Sequence, residues 1–274
     1  MYIYNNLFIK TIIFMKKIIQ NIPIIILSGG KGERFVSKEN LPKQLSKVSS
    51  HPIIMEIILF YFKNGFNSFI LPLGYKSNFF IKFFNDKKNI KKYNLNIIKK
   101  DKIEIKESKI NILLFDAGLK SNKLNRIKKS IKYLDNKSTK LGVCYGDIFA
   151  NISFQKELFN FKRKNIEAIA VAYNEYSPFG HVKIKDKMIK KFYEKPKLPD
   201  PINIGFYFFN KKVFSKIKTN YGDDLETDFL PKISKMNKLS CHIHKGYHFT
   251  VNSQKDLINI KQLYKKNKNF FKDL

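Results

Sequence analysis

Three glycines and two cations lie close together near the start of the chain. In the stretch SGGKGERF an apolar run is followed by Gly29, Gly30 and Gly32, with Arg34 two residues later, and Lys43 comes next inside LPKQL. Glycines let a backbone approach a ligand closely, and consecutive bare N–H groups attract anions. Arg34 and Lys43 can neutralise the charge of a phosphate. The stretch therefore favours a phosphate-bearing ligand.

Two common phosphate-binding signatures do not match this loop. The GxxxxGK[ST] spacing is absent, and a GxGxxG pattern fails because Phe35 stands where the third glycine is needed after Gly30 and Gly32. Short glycine motifs often occur by chance. On the loop alone, a glycine-rich turn without a ligand remains an equal alternative.

The apolar runs around the loop predict alternating strands and helices. Short continuous apolar runs bounded by turn residues are typical of strands that are buried on both faces of a parallel sheet. They predict strands at 22–27, 66–75, 109–118, 140–152 and 167–176, with a polar break at Gly146-Asp147. Helices are predicted at about 52–63 and in SNFFIKFF. Right-handed crossovers then give a three-layer, doubly wound, mostly parallel α/β sheet.

The pattern changes after residue 178. Alternating residues around a polar turn at Asp186-Lys187 predict a β-hairpin. We further expect a strand in NIGFYFFN, a helix in LETDFLPKISKMN, a strand at about 240–251 and a helix at 253–267. We expect a small β-hairpin/α appendage to the sheet in this part of the chain. Neither an internal repeat nor a linker divides the chain, so we expect one domain over 18–274.

Residues 1–17 are interpreted as a dispensable extension. They are apolar in patches, but Lys10 interrupts them, and Met15 before Lys16 and Lys17 is an alternative start. No stretch reaches the ~20 apolar residues of a membrane span, so no membrane association is expected. Cys144 and Cys241 are far apart in the sequence, which excludes a disulfide framework and fits a reducing cytoplasm.

The net charge of +31 has two interpretations. It could serve a polyanionic partner such as nucleic acid. Alternatively, it reflects codon bias, because Ile, Asn, Phe and Tyr are abundant as well as Lys, and Trp is absent. The lysines are scattered rather than interleaved with aromatic residues as in a stacking surface. We favour codon bias and expect no specific nucleic-acid partner.

The stretch SGGKGERF…LPKQL resembles the signature of the sugar-1-phosphate nucleotidyltransferases. The resemblance continues in order through ILPLGYK, LLFDAG, YGDIFANI, FGHV, FYEKP, INIGFYFF and LETDFLP, and covers about residues 22–264. The combination of DAG before YGD, with FG, EKP and NxG after it, is most similar to glucose-1-phosphate cytidylyltransferases. The implied fold is the Rossmann-like nucleotide-diphospho-sugar transferase fold.

The resemblance implies an activity and a set of site residues. A cytidylyl group would pass from CTP to glucose 1-phosphate with release of pyrophosphate, with Mg²⁺ as the cofactor and positioning as the main source of catalysis. The implied catalytic residues are Arg34, Lys43, Asp147 and Lys195. The implied nucleotide-binding residues are Ser28, Gly29, Gly30, Gly32, Arg34, Lys43, Asp116 and Arg126. The implied sugar-binding residues are Gly180, Glu194, Lys195, Asn203 and Gly205. A homo-oligomer is compatible with the sequence.

The metal ligand implied by the resemblance is Asp147, with Asn252 as a second candidate. The family usually places a second aspartate where this chain has Asn252, and KLNR replaces an expected TGGR. Another base, another sugar phosphate such as a heptose phosphate, and a decayed nucleotide-sugar-binding protein therefore stay open. For His242, His244 and His248 beside Cys241, a polar strand face is favoured over a zinc site, since no CxxC or HxxxH pairing accompanies them.

Overall fold

The computed structural model describes residues 19–32, 35, 40–100, 104–154, 158, 161 and 165–266. The predicted N-terminal extension lies outside the described residues. So does Arg34, to which the sequence assigns a phosphate contact.

An eight-stranded, mostly parallel sheet forms the centre of the fold, as predicted. Its strand order is β11-β7-β10-β5-β1-β2-β4-β3. The strands are β1 Ile24–Leu27, β2 Ser68–Leu73, β3 Leu95–Ile98, β4 Ile110–Asp116, β5 Lys140–Tyr145, β7 Ala168–Tyr173, β10 Ile202–Asn210 and β11 Leu239–His244. The chain moves from β1 to β2 on one side and later returns to the other side of β1 with β5. Ligands bind at such a topological switch point in open α/β sheets.

Helices cover both faces of this sheet. They are α1 Ile53–Lys63, α2 Ser77–Asn85, α3 Lys87–Tyr93, α4 Lys123–Ile131, α5 Val213–Lys216, α6 Leu230–Lys235 and α7 Gln254–Lys266. Alternate residues of β1 point to opposite faces: Ile24 and Ile26 pack with α1, α2, α3 and α7, whereas Ile25 packs with α4, α5 and α6. The three predicted layers are therefore present.

Two short two-stranded sheets stand apart from the main sheet. The strands β6 Ile148–Ala150 and β12 His248–Thr250 pair antiparallel. The predicted hairpin consists of β8 His181–Lys185 and β9 Met188–Tyr193. Asp186 and Lys187 form its turn with φ of 51° and 64°, the left-handed conformation that a two-residue hairpin turn requires.

The structure corrects the predicted elements in several places, and the strand predicted at 140–152 is two strands, β5 and β6, in different sheets. Strand β10 runs antiparallel to both of its neighbours. The strand predicted at 240–251 is two strands, β11 and β12, which belong to different sheets. The helix predicted from residue 225 begins with a π-helical turn over Leu225–Phe229. The elements α3, β3, α4 and α5 were not predicted from the sequence.

Candidate active site

The glycine loop and Asp147 lie side by side because β1 and β5 are parallel neighbours. Leu27 pairs with Tyr145 at the carboxyl ends of the two strands. The N–H of Gly146 donates to the carbonyl of Leu27 over 3.1 Å. The residues that follow each strand therefore emerge together at the switch point of the sheet.

A cleft of about 440 Å³ opens at this edge, and we call it the active cleft. Its walls include Gly29, Gly30, Gly32, Lys43, Asp147 and Asn252. A Cβ atom built on Gly30 would have no atom within 4 Å, so the backbone at Gly30 is open to the cleft. Of the described residues that the sequence assigns to phosphate and metal, the structure brings these six together.

Lys43 makes an ion pair with Asp147 inside the active cleft. The Nζ–Oδ2 distance is 2.5 Å, and the two side chains are only 10% and 22% exposed. Lys43 begins a 3-10 helix, Lys43–Leu45, in which the N–H of Leu45 donates to the carbonyl of Pro42. Gln44 and Leu45 are buried and anchor this turn, so Lys43 is held against the cleft.

Asp147 and Asn252 are joined through the main chain. The N–H of Val251 donates to the carbonyl of Asp147 over 2.9 Å, and the Val251 side chain is fully buried. Asp256 then accepts hydrogen bonds from the N–H groups of Asn252 and Ser253, which begins α7 as a reciprocal helix cap. Asn252 is thus fixed at the wall of the cleft that carries Asp147.

Arg126 holds the glycine loop from beneath. Its side chain is buried, and its five N–H groups match five hydrogen bonds to backbone carbonyls. The acceptors are Ser121, Pro72, Leu73, Gly29 and Gly118, at 2.8–3.2 Å.

The guanidinium of Arg126 has no N–H left for a ligand in this arrangement. Burial lowers its pKa, and the nearby Asp116 opposes that shift. A Cβ atom on Gly29 would lie 1.7 Å from Nη1 of Arg126, so glycine is required there by packing. Arg126 lines the active cleft and holds the glycine loop in place, and the direct nucleotide contact that the resemblance implies stays a prediction.

Two residues assigned to the nucleotide, unlike Arg126, do not line the active cleft. Ser28 is 1% exposed, and its hydroxyl donates to the carbonyl of Ile26. Asp116 is exposed at the end of β4, where its carboxylate accepts the N–H of Gly118 over 2.8 Å. Both side chains shape the loops next to the cleft.

Asn203 and Gly205 belong to a polar network behind the active cleft. Asn203 donates to the hydroxyl of Tyr207, which lies 3.3 Å from the hydroxyl of Tyr145 and donates to Glu226. Burial raises the pKa of Tyr207 to about 12, so its hydroxyl keeps its proton at neutral pH. Gly205 has a φ of 71°, and a Cβ atom there would lie 2.4 Å from the Tyr145 ring.

The structure adds residues that the sequence did not single out. Lys123 lies in the cleft wall and pairs with Glu226 at 2.6 Å and with Asp224 at 3.4 Å. Burial alone would lower the pKa of Lys123, but its bonds to Glu226 and Asp224 outweigh burial and raise it. These contacts join segments about a hundred residues apart, so no local pattern could have indicated them. Gln44, within the quoted LPKQL, and Tyr145 also line the cleft.

The amino end of α4 faces the active cleft. Asn122 caps this helix by accepting the N–H of Asn125, and its amide donates to the carbonyls of Gly222 and Asp223. A helix amino terminus carries partial positive charge. This end of α4 adds positive potential to a cleft that already contains Lys43 and Lys123.

Glu194 and Lys195 lie outside the active cleft, on the strand end that leaves the hairpin. Their side chains are 66% and 64% exposed and are 3.8 Å apart, so this contact contributes little to stability. Gly180 is close to them, since a Cβ atom there would lie 3.2 Å from Oε2 of Glu194. The structure thus groups these three predicted sugar-binding residues with each other but not with Lys43 and Asp147.

The active cleft suits a hard divalent cation. Mg²⁺ in proteins is commonly held by one or two carboxylates together with substrate phosphates and water. Asp147 supplies a carboxylate and Asn252 a neutral amide in one wall. Among the described residues, no group of three or more His, Cys, Asp or Glu side chains could hold a metal without such a substrate.

The histidines near the end of the chain pack around an aromatic ring. Tyr173 lies 6.1 Å from the His244 ring and 5.2 Å from the His248 ring. Nε2 of His244 is 2.9 Å from the carbonyl oxygen of Tyr247, so a zinc ion would have to compete for that nitrogen. Burial lowers the pKa of both histidines.

None of the helices in the described part of the chain has the length and apolar character needed to cross a membrane. The sequence-based expectation that the chain does not associate with membranes is broader than this finding and stays a prediction.

Comparison with known proteins places the whole arrangement in one family. The model of the nucleotidyl transferase family matches residues 24–269. A probable glucose-1-phosphate cytidylyltransferase of Bacillus subtilis is 27% identical over 253 residues, which cover 90% of this chain and 98% of that protein. The glucose-1-phosphate cytidylyltransferase of Salmonella typhimurium is 25% identical, with 89% and 96% covered.

A solved structure supports the fold. The crystal structure of a UDP-glucose pyrophosphorylase complexed with UDP-glucose superposes with a TM-score of 0.62 at 17% identity, covering 89% of this chain and 98% of that one. The family match extends over both the glycine loop and the Asp147 wall of the active cleft. The chain belongs to the nucleotidyl transferase family and is a sugar-1-phosphate nucleotidyltransferase.

Proposed function

We propose that the chain transfers a cytidylyl group from CTP to glucose 1-phosphate. The observation that carries the proposal is the Lys43–Asp147 pair beside the open glycine loop. The pair puts a cation and a carboxylate beside the glycine backbone in one cleft, and two polyanionic substrates require cations and N–H groups in such a place. The names of the relatives from Bacillus subtilis and Salmonella typhimurium support the choice of cytidine and glucose.

The triphosphate binds to the glycine loop in this proposal. The backbone of Gly29, Gly30 and Gly32 surrounds its phosphates, and the amino end of α4 adds its dipole. Lys43 leaves Asp147 and contacts the phosphates. Arg126 keeps the loop in this shape without touching the nucleotide.

The chemistry is an in-line displacement at the α-phosphorus. An oxygen of the sugar 1-phosphate forms a new bond to this phosphorus, and the bond to the pyrophosphate oxygen breaks, so the electron pair leaves with pyrophosphate. The phosphate nucleophile is already deprotonated at neutral pH. Catalysis therefore rests on alignment and on cations that offset the repulsion between two anions.

Asp147 and Asn252 hold the cofactor Mg²⁺ in this proposal. When bound, the ion neutralises phosphate charge and fixes the orientation of the reacting groups. Lys43 pairs with Asp147 in the structure, so the carboxylate has a cationic partner until substrate and metal arrive. Exchange of one cation for another at Asp147 would thus accompany binding.

The sugar phosphate binds on the other side of the cleft. Asn203 and Gly205 stand behind Tyr145 at this side, and Lys195, Glu194 and Gly180 approach from the base of the hairpin. Since Lys195 and Glu194 are exposed in the structure, this part of the proposal requires the hairpin base to move towards the cleft when sugar phosphate is present.

Two observations favour second candidates. KLNR in place of TGGR, with Lys123 paired to Asp224 in the cleft, favours a base other than cytosine or a different sugar phosphate such as a heptose phosphate. Asn252 beside Asp147 favours a decayed protein that binds a nucleotide sugar without turnover, since one metal-facing charge is missing.

Pyrophosphate release across a panel of nucleoside triphosphates and sugar 1-phosphates with Mg²⁺ tests these candidates. The proposal predicts the highest kcat/KM for CTP with glucose 1-phosphate. A higher value for another pair would reassign the substrates. If no pair reacts and nucleotide sugars still bind, the protein is a binding protein rather than an enzyme.

A further inference from the structure

A second cleft lies on the reverse side of the segment that carries Lys43, and we call it the rear cleft. Its volume is about 450 Å³, close to that of the active cleft. It lies between the Leu41–Pro52 segment and the helices α2 and α3. Pockets for small organic ligands typically have volumes of about 300–1,000 Å³.

The floor of the rear cleft is apolar and largely aromatic. Phe79 and Phe83 come from α2, Tyr93 comes from α3, and Leu41 and Leu45 come from the Lys43 segment. The ring of Tyr93 is fixed by a hydrogen bond of 3.1 Å between its hydroxyl and Nδ1 of His51. A flat apolar group can stack on such a surface.

The rim of the rear cleft is positively charged. Lys47, Lys82 and Lys92 stand around it, and Asp86 is the one carboxylate among the described residues that line it. Lys92 lies over the Tyr93 ring and donates to the carbonyl of Ser50. Among the described residues, the side chains of Lys47 and Lys82 make neither a hydrogen bond nor an ion pair, and they can close on an anion.

The two clefts share one wall. Leu41 and Leu45 line the rear cleft, whereas Lys43 and Gln44, in the same turn, line the active cleft. The turn is held by backbone bonds from Ser46 to Lys43 and from Ile53 to Ser46, both of 3.0 Å. A ligand that packs against Leu41 and Leu45 therefore contacts the turn that carries Lys43 and changes how far the Lys43 side chain can move.

We propose that the rear cleft binds a small organic anion with a flat apolar ring, and that its occupancy alters nucleotide affinity through the Lys43 turn. The ring packs on Phe79, Phe83 and Leu45, and the anionic group meets Lys47 and Lys82. The effect on nucleotide rests on the proposed function, whereas the binding step does not. Coupling between two sites is reciprocal, so nucleotide alters anion affinity by the same factor.

The fluorescent anion 8-anilinonaphthalene-1-sulfonate is the probe for this proposal. The test variant is Lys47→Glu/Lys82→Glu, and the control is Lys88→Glu/Lys91→Glu, which makes the same charge change on exposed residues outside the cleft lining. All four side chains are exposed, so folding should be preserved, and circular dichroism with thermal unfolding checks this.

The probe should bind wild type and control with dissociation constants that agree within about twofold. Its affinity should fall about tenfold or more in the test variant, because two charge-assisted contacts are reversed. Equal affinity in all three proteins, or an equal loss in both variants, would overturn the site.

Kinetics test the coupling separately. The probe should change the KM for CTP by about fivefold or more in wild type and control, and should leave the KM of the test variant unchanged. An effect of the same size in the test variant would place the probe in the active cleft and overturn the coupling. If the protein shows no turnover at all, the proposed function fails, and the fluorescence titration still decides whether the rear cleft binds an anion.

Discussion

Lys43 and Asp147 are 104 residues apart in the sequence and 2.5 Å apart in the active cleft. One follows the glycine loop of β1 and the other follows β5, so the contact depends on the parallel pairing of these strands. It joins a cation and a carboxylate to which the proposed function assigns phosphate binding and metal binding. The two opposite charges neutralise each other in the structure, and in the proposed function each side chain gains a different partner when substrate binds.

Replacing Lys43 should affect catalysis more than folding. Lys43→Ala should lower kcat/KM roughly thirtyfold, because a charge-assisted phosphate contact is lost. This corresponds to about 2 kcal/mol less transition-state stabilisation. Its melting temperature should stay near that of wild type, since Asp147 is partly exposed and can be solvated. Lys91→Ala on α3 serves as the control, and unchanged kcat/KM in folded Lys43→Ala would remove Lys43 from the site.

Asn252→Asp should lower the Mg²⁺ concentration needed for half-maximal rate. The substitution adds a second carboxylate to the wall that carries Asp147, and Mg²⁺ prefers carboxylate oxygens. Magnesium titrations of pyrophosphate release compare the two proteins. An Asn252→Asp variant that gains activity over a silent wild type would identify a decayed enzyme, while identical titration curves would place the metal elsewhere.

Gly29 and Arg126 should show strong non-additivity. Gly29→Ala places a Cβ atom on the Arg126 guanidinium and should destabilise the fold by about 2 kcal/mol or more. Arg126→Ala should also destabilise it, because five carbonyls lose their donor. In the double variant the clash disappears, so urea unfolding should give less than the sum of the single losses. Strict additivity would argue against the close packing of Gly29 on the Arg126 guanidinium.

The free energy of unfolding should fall as the pH drops below the ordinary pKa of histidine, about 6.5. Burial lowers the pKa of His244 and His248 in the folded state. Below a pH of about 6.5 the unfolded chain therefore binds protons that the folded chain does not, and unfolding becomes easier. Stability from this source is complete above that pH and is lost as the pH falls through the lowered values.

Thermal unfolding between about pH 7 and pH 5 measures the loss of stability that follows from the lowered pKa of these two histidines. His244→Gln/His248→Gln should lose less stability over that range than wild type. His181→Gln, an exposed histidine on the hairpin, is the matched control and should behave like wild type. An identical decline in the double variant would show that other groups carry the acid dependence.

The sequence predicts the elements that position the candidate site because their signals are local. The buried strands β1, β2, β4, β5 and β7 are continuous apolar runs, and turn residues bound them. The direction of β10 could not be predicted, because NIGFYFFN is equally apolar for a parallel or an antiparallel neighbour. The segment of α3 and β3 is dominated by lysine and asparagine, which hide its weak periodicity.

The site itself is predicted as far as its residues follow strand ends. Lys43, Asp147 and the three glycines meet in one cleft for this reason. Arg126 was assigned to the nucleotide, but its surroundings are five carbonyls from distant loops, which only the folded chain brings together. The contacts of Lys123 with Asp224 and Glu226 could not be predicted for the same reason.

The most direct measurement is a double-mutant cycle on pyrophosphate release from CTP and glucose 1-phosphate. Wild type, Lys43→Ala, Asp147→Asn and the double variant are compared by kcat/KM at saturating Mg²⁺. The two residues are expected to act as a unit, so each single variant should lose most of the activity and the double variant should be little worse than the poorer single variant. Activity close to wild type in either single variant, with folding intact, would contradict the assignment of this cleft as the active site.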